Sequence, residues 1–150
     1  MVTRAERNLT NPDLGVLAGR LLFAVQGELF AALAERGFDD LQPRHGAVLA
    51  YLEPAGVRAT ELSRLSGQHK QVIGTVIDEL EQLGYVVRQP DPADRRAKLV
   101  CPTERGLEQM RAADSIMAGI QQRHARRLGR ERFTAFKAAF MDVVEHQRKR

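Results

Sequence analysis

The chain has 150 residues and a formal net charge of +4. That length fits one compact domain or a small domain with dimerisation arms, and the charge excess is too mild to demand an anionic partner. A single cysteine, Cys101, excludes an internal disulfide and a multi-cysteine metal site. Met1 to Asn11 has no apolar core of the signal-peptide kind, and no run approaches the ~20 apolar residues that span a bilayer, so a cytoplasmic protein without membrane contact is expected.

Asn11-Pro12-Asp13 reads as a helix start, with Asn as cap and Pro at the first helical position. Leu14, Leu17, Leu21, Val25, Leu29 and Leu33 then recur every three or four residues, which predicts a long amphipathic helix ending near Gly37. Leu22, Phe23 and Phe30 broaden its stripe. Pro43 opens a shorter helix through Leu52, and a third helix is expected from Thr60, its cap, to Leu65. Ser66-Gly67-Gln68 makes a tight turn. A fourth helix follows over 70–83, its buried face formed by Val72, Ile73, Val76, Ile77, Leu80 and Leu83, and Gly84 ends it.

The period then changes. Residues 85–88 read as a strand, 90–94 as a loop that extends neither strand nor helix, and 97–101 as the returning strand. A second long helix starts at Thr103-Glu104-Arg105-Gly106 and breaks at Gly129. Phe133, Phe136, Phe140, Val143 and Val144 mark a last helix before a basic, frayed tail, 146–150.

Helix, short turn, helix and hairpin together make a winged helix-turn-helix. In this arrangement the second helix can lie in the major groove with its N-terminal residues at the base edges. Here those residues are His69, Lys70, Gln71 and, one turn on, Thr75, with Gly74 leaving room for close approach. The acids Asp78, Glu79 and Glu81 oppose this reading, since nothing basic stands near them in sequence. The hairpin supports it: Arg95 and Arg96 sit at its tip, flanked by Arg88 and Lys98, and an arginine-tipped ribbon suits the minor groove. Asp94 is expected to pair with a neighbouring arginine and hold the loop.

Residues 60–106 resemble the MarR family of transcriptional regulators. The resemblance is carried by Lys70-Gln71-Val72-Ile73, Gly84-Tyr85-Val86-Val87-Arg88, the wing Asp91-Pro92-Ala93-Asp94-Arg95-Arg96 and Thr103-Glu104-Arg105-Gly106. It implies a mainly α fold with a small β-hairpin wing, in which 38–103 form the DNA-binding domain and 1–37 with 104–150 form a helical dimerisation region. It further implies a homodimer on palindromic double-stranded DNA, acting as a repressor released by a small aromatic or anionic effector. In that scheme His69, Lys70, Gln71 and Thr75 meet the major groove, Arg95 and Arg96 the minor groove, and Asp94 braces Arg96. His69 stands where the family often has a hydroxyl cap, Gln68 where an apolar residue often precedes it, and Gly74 and Thr75 where it often has a polar or basic side chain, so the resemblance carries the fold but not the target sequence.

Independently of the resemblance, the first and last helices leave apolar stripes that a lone chain does not cover, which argues for a dimer. Phe30 and His45 are candidates to line an effector crevice, against the plainer readings of core aromatic and of surface or capping histidine. The four histidines lack ligand spacing, so no metal or other cofactor is expected, and Cys101 reads as a small strand residue. The alternatives are a protein-binding winged helix and a redox- or metal-responsive regulator of the same fold. The basic wing argues against the first, and the lack of a cysteine near the first helix against the redox form of the second. No nucleophile motif, phosphate loop or carboxylate pair suggests an enzyme.

Overall fold

The chain opens with a helix that has no apolar stripe to announce it, α1 (Arg4–Thr10). Its signature is a capping box: Thr3 Oγ1 accepts from the Glu6 amide at 3.1 Å, and Glu6 Oε2 accepts from the Thr3 amide at 2.8 Å. The computed structural model describes all 150 residues, which divide into two compact units, 1–113 and 114–150.

In the first unit, α2 (Leu14–Glu35) starts after Asp13 rather than from Asn11, because Asn11 ends α1, its amide donating to the Arg7 carbonyl at 2.7 Å; Asp13 makes no side-chain cap and is held instead by Arg4 at 3.0 Å and Arg7 at 3.1 Å. Gly37, at φ 97°, closes it in the left-handed region. Leu14, Leu17, Leu21, Leu22 and Phe23 stay exposed along it, Phe23 to 77%. Contrary to the expectation drawn from uninterrupted runs, α2 is long and apolar enough by composition to cross a membrane. Its Leu, Val, Phe and Ala residues keep the average high although Arg20, Gln26 and Glu28 interrupt it.

The helix expected from Pro43 to Leu52 is shorter: a 3-10 turn, Pro43–His45, leads into α3 (Gly46–Leu49). α4 (Ala59–Ser66) starts after Arg58, so Thr60 lies inside the helix and caps nothing. α5 (Lys70–Gln82) buries Ile73, Val76, Ile77 and Leu80. Val72 is corrected: it falls in the first turn, among exposed His69, Lys70 and Gln71, and is 45% exposed.

The hairpin is longer than its sequence suggested. β1 (Val86–Asp91) and β2 (Asp94–Pro102) pair antiparallel from Val86 opposite Pro102 to Pro90 opposite Lys98. Pro90 is tolerated because β1 is an edge strand; β2 is flanked on its other side by Val57, which exchanges two backbone hydrogen bonds with Val100 at 3.0 and 2.8 Å. Only Pro92 and Ala93 remain as loop, tightened by the Ala93 amide donating to Asp91 Oδ1 at 2.9 Å. Gly56, at φ 92°, lets this third segment approach: a Cβ there would lie 2.6 Å from Cys101 Sγ. Cys101 itself is a buried strand residue.

The Thr-x-x-Gly motif has a local physical account. Thr103 Oγ1 accepts from the Gly106 amide at 3.1 Å and so caps α6 (Glu104–Leu128), while a Cβ at Gly106 would lie 2.2 Å from the Tyr85 carbonyl oxygen. The motif therefore seats the start of α6 directly on the junction between α5 and β1. Beside it, the buried Tyr85 hydroxyl donates to Asp40 Oδ1 at 2.5 Å and accepts from Arg105 Nη2 at 2.9 Å, with the Arg105 guanidinium 4.8 Å from the tyrosine ring. Burial, with Asp40 adding to it, pushes the Tyr85 phenol up to about 12.

The second unit holds the end of α6 and α7 (Arg130–Arg148), separated by Gly129 at φ 86°. The basic tail is helical as far as Arg148, not frayed from 146. Phe133, Phe136 and Phe140 run along α7 in tilted contacts of 6.4 and 5.6 Å between ring centroids. Phe136, Met141, Val143 and Val144 are exposed.

Candidate nucleic-acid interface

The turn between α4 and α5 is built from its own side chains. Gly67 takes the left-handed conformation at φ 74°. Ser63 Oγ donates to the Gln68 carbonyl at 2.5 Å, and Ser66 Oγ accepts from the Gln68 amide at 3.1 Å. His69 ends the turn in extended geometry without a side-chain cap, so its imidazole is not spent on the helix. An open concavity lined by Ser63, Arg64, Gly67, Gln68, His69, Lys70 and Gln71 runs along this edge.

His69, Lys70, Gln71 and Thr75 are all exposed. Thr75 Oγ1 donates to the Gln71 carbonyl at 3.1 Å, so outward it offers its methyl group and acceptor lone pairs. Val72 adds an apolar contact to this face that the sequence pattern assigned to the core. Arg64, which salt-bridges Glu61 through a close contact, adds a cation that sequence reasoning passed over. No Cβ at Gly74 would meet any atom within 4 Å, so its surface is open.

At the wing, Arg95 is exposed and Arg96 projects with its side chain 92% exposed. Arg96 Nε and its amide donate to Asp94 Oδ1 at 3.2 and 3.1 Å. These bonds from Arg96, side chain first, hold the Asp94 carboxyl below its ordinary range. The base of the wing is fixed by a contact the sequence did not disclose. Arg58, at the start of α4, places Nη2 2.7 Å and Nε 2.9 Å from Asp91 Oδ2, while Asp91 Oδ1 takes the Ala93 amide. The amide and then the guanidinium lower the Asp91 carboxyl. The only local signal for this was an Asp preceding Pro in a turn.

Two sequence expectations are corrected here. The acids of α5 are offset after all: Arg88 Nη2 meets Asp78 at 2.7 Å and Arg88 Nη1 meets Glu81 at 2.9 Å. Arg88 is thereby spent on α5 and does not serve the wing. Glu79 accepts from Arg44 Nε at 2.9 Å and from His45 Nε2 at 2.7 Å, and these two partners, His45 first, lower its carboxyl. Nor is His45 a surface residue, being 1% exposed. Its Nδ1 accepts from the Gln42 amide at 2.9 Å, a capping bond that leaves the proton on Nε2 for Glu79. Both ring nitrogens are thus taken. Phe30 is half-buried, its Cζ 3.9 Å from where a Cβ on Gly46 would stand. No group of three His, Cys, Asp or Glu side chains is gathered that could hold a metal ion.

A two-helix turn with an exposed polar second helix, framed by a hairpin tipped with arginine, defines a winged helix-turn-helix protein. A family model described as MarR family matches residues 39–97. CouR from Rhodococcus jostii RHA1, solved with p-coumaroyl-CoA, is 28% identical over 87% of this chain and 91% of its own, with a TM-score of 0.71. CouR bound to a 23-mer DNA duplex aligns over 91% of this chain and 95% of its own, at 25% identity and a TM-score of 0.72. The DNA complex of MepR from S. aureus, at 18% identity over 89% of this chain and 98% of its own, shares the fold with a TM-score of 0.73. None of the curated proteins matches the chain. Over residues 39–97 the chain matches the MarR-family model, and its fold is the one that solved MarR-family transcriptional regulators share.

Proposed function

We propose that the chain works as a homodimer on a palindromic operator, represses transcription there, and lets go when a small aromatic or anionic effector binds. The observation that carries this reading is the pairing of an exposed turn-to-helix edge, His69 to Thr75, with a wing whose Arg95 and Arg96 stand clear of the body. His69, Lys70, Gln71 and Thr75 take the major groove, Arg95 and Arg96 the minor groove, and Asp94 sets the aim of Arg96. Residues 38–103 form the DNA-binding domain. Residues 1–37 and 104–150 form the dimerisation region, which accounts for the exposed apolar faces of α2 and α7. The protein is a cytoplasmic, non-enzymatic regulator. Phe30, rather than the buried His45, is the aromatic wall assigned to the effector crevice, and an aromatic acyl thioester such as the ligand of CouR is the first effector to test.

A gel shift with the DNA upstream of the chain's own gene tests the reading. Retardation by a dimer, competed by unlabelled operator and reversed by effector, is expected. No retardation of any tested operator at low salt would remove it, and would favour a winged helix that binds protein instead.

A further inference from the structure

The positive charge of this chain does not sit on its winged helix. Residues 114–150 carry nine Lys and Arg against four Asp and Glu, while residues 1–113 carry fourteen against fifteen. Five of the nine, Arg123, Arg126, Arg127, Arg130 and Arg132, fall within ten residues around the α6–α7 turn, with Glu131 the one acid among them. Arg126, Arg127, Arg130 and Arg132 make no ion pair within the chain.

Local helix electrostatics explain only half of this. Arg126 and Arg127 lie in the last turn of α6, where the carbonyl end of a helix favours cations. Arg130 and Arg132 lie in the first turn of the 19-residue α7, where the amide end disfavours them. Four unpaired guanidinium groups crowded at one turn repel one another, and two of them stand at the wrong end of a helix. An anion relieves both terms at once.

The turn also has the shape to receive one. A concave surface of about 560 Å³ is lined by Gln122, Ala125, Arg126, Gly129 and Arg130. Arginine presents a planar fork of donors suited to phosphate oxygens, and Gln122 adds an amide donor. Ala125 and Gly129 keep the floor free of bulk, and no Cβ at Gly129 would meet an atom within 4 Å.

We propose that the α6–α7 turn is a binding site for the phosphate or pyrophosphate group of a small molecule, held by Arg126 and Arg130. The site is separate from the wing and from the turn before Lys70, and the proposal stands whether or not the operator reading holds.

The test is isothermal titration of the full-length protein with inorganic phosphate, pyrophosphate, ADP and adenosine, at about 150 mM chloride, where exposed charges are screened beyond about 8 Å. Saturable binding of pyrophosphate at one site per chain is expected, with none for adenosine. Tighter binding of ADP identifies a nucleotide as the source of the group; equal binding identifies free pyrophosphate. Losing two charge-assisted contacts in the Arg126→Ala/Arg130→Ala protein should weaken pyrophosphate at least about tenfold, with operator affinity unchanged. The Arg126→Lys/Arg130→Lys protein retains charge but not the fork, guards against misfolding, and should bind with intermediate affinity. Heat that does not saturate, affinity unchanged in both double variants, or loss of binding on Arg95→Ala/Arg96→Ala instead would each overturn the proposal. So would a random duplex that binds at the turn where pyrophosphate does not.

Discussion

Replacing Arg96 by alanine separates the wing's electrostatic contribution from its shape. Arg96 is held to Asp94 by long bonds, 3.2 Å at Nε and 3.5 Å at Nη2, and is almost fully exposed, so it can exchange that partner for DNA at little cost. Each cation that neutralises a phosphate contributes about 0.9 to the slope of log affinity against log salt, so two wings per dimer contribute about 1.8. Between about 50 and about 200 mM salt, the affinity loss of Arg96→Ala should therefore be smaller than that of the parent by about tenfold. Asp94 is left uncompensated in this variant and would repel the duplex, so Asp94→Asn/Arg96→Ala is the cleaner comparison. Fluorescence anisotropy with labelled operator across a salt series reads both slopes. A slope unchanged by either variant, with affinity held within about twofold, would show that the wing does not meet the phosphates and would sink the groove assignment.

Gln71→Ala should shift the preferred operator bases in a binding-site selection while leaving the salt slope alone; equal weakening on every sequence would contradict a base-edge role. Tyr85→Phe removes a buried hydroxyl that bridges Asp40 and Arg105, whose side chains keep 33% and 43% exposure. Because water can still reach those partners, the expected loss is about 1–2 kcal/mol in urea denaturation at fixed protein concentration. Ile77→Ala empties a fully buried position on α5 and should cost about 2–4 kcal/mol by the same measurement. The carboxyls of Glu79, Asp91 and Asp94 are lowered in the folded protein. Their contribution to stability is therefore complete above the ordinary carboxylate range and is lost as the pH falls through the lowered folded values. Denaturation midpoints should fall with pH there, and less steeply in Asp91→Asn.

The parts of this molecule that repeat at short range could be read from the residues. The α5 stripe, the glycine turn at 67 and the cap of α6 between Thr103 and Gly106 each express their structure within a few positions of themselves. Contacts between distant segments could not. Arg58 meets Asp91 and His45 meets Glu79 across more than thirty residues. Arg88 looked like part of the wing because it lies next to it in sequence, yet packing turns it back onto Asp78 and Glu81. Pro90 looked like a breaker because the edge position of β1 depends on Val57 joining the far side of β2. Val72 matched the apolar period of its helix, but period does not report where the covering neighbours end.

The tie from Arg58 to Asp91, with the Val57–Val100 bridge beneath it, makes one frame of α4 and the hairpin. A duplex docking on this frame meets a caliper of fixed span rather than two independent fingers. DNA whose groove width or twist departs from that span must itself deform to fit, so bases between the two contacts are selected by their stiffness without being touched.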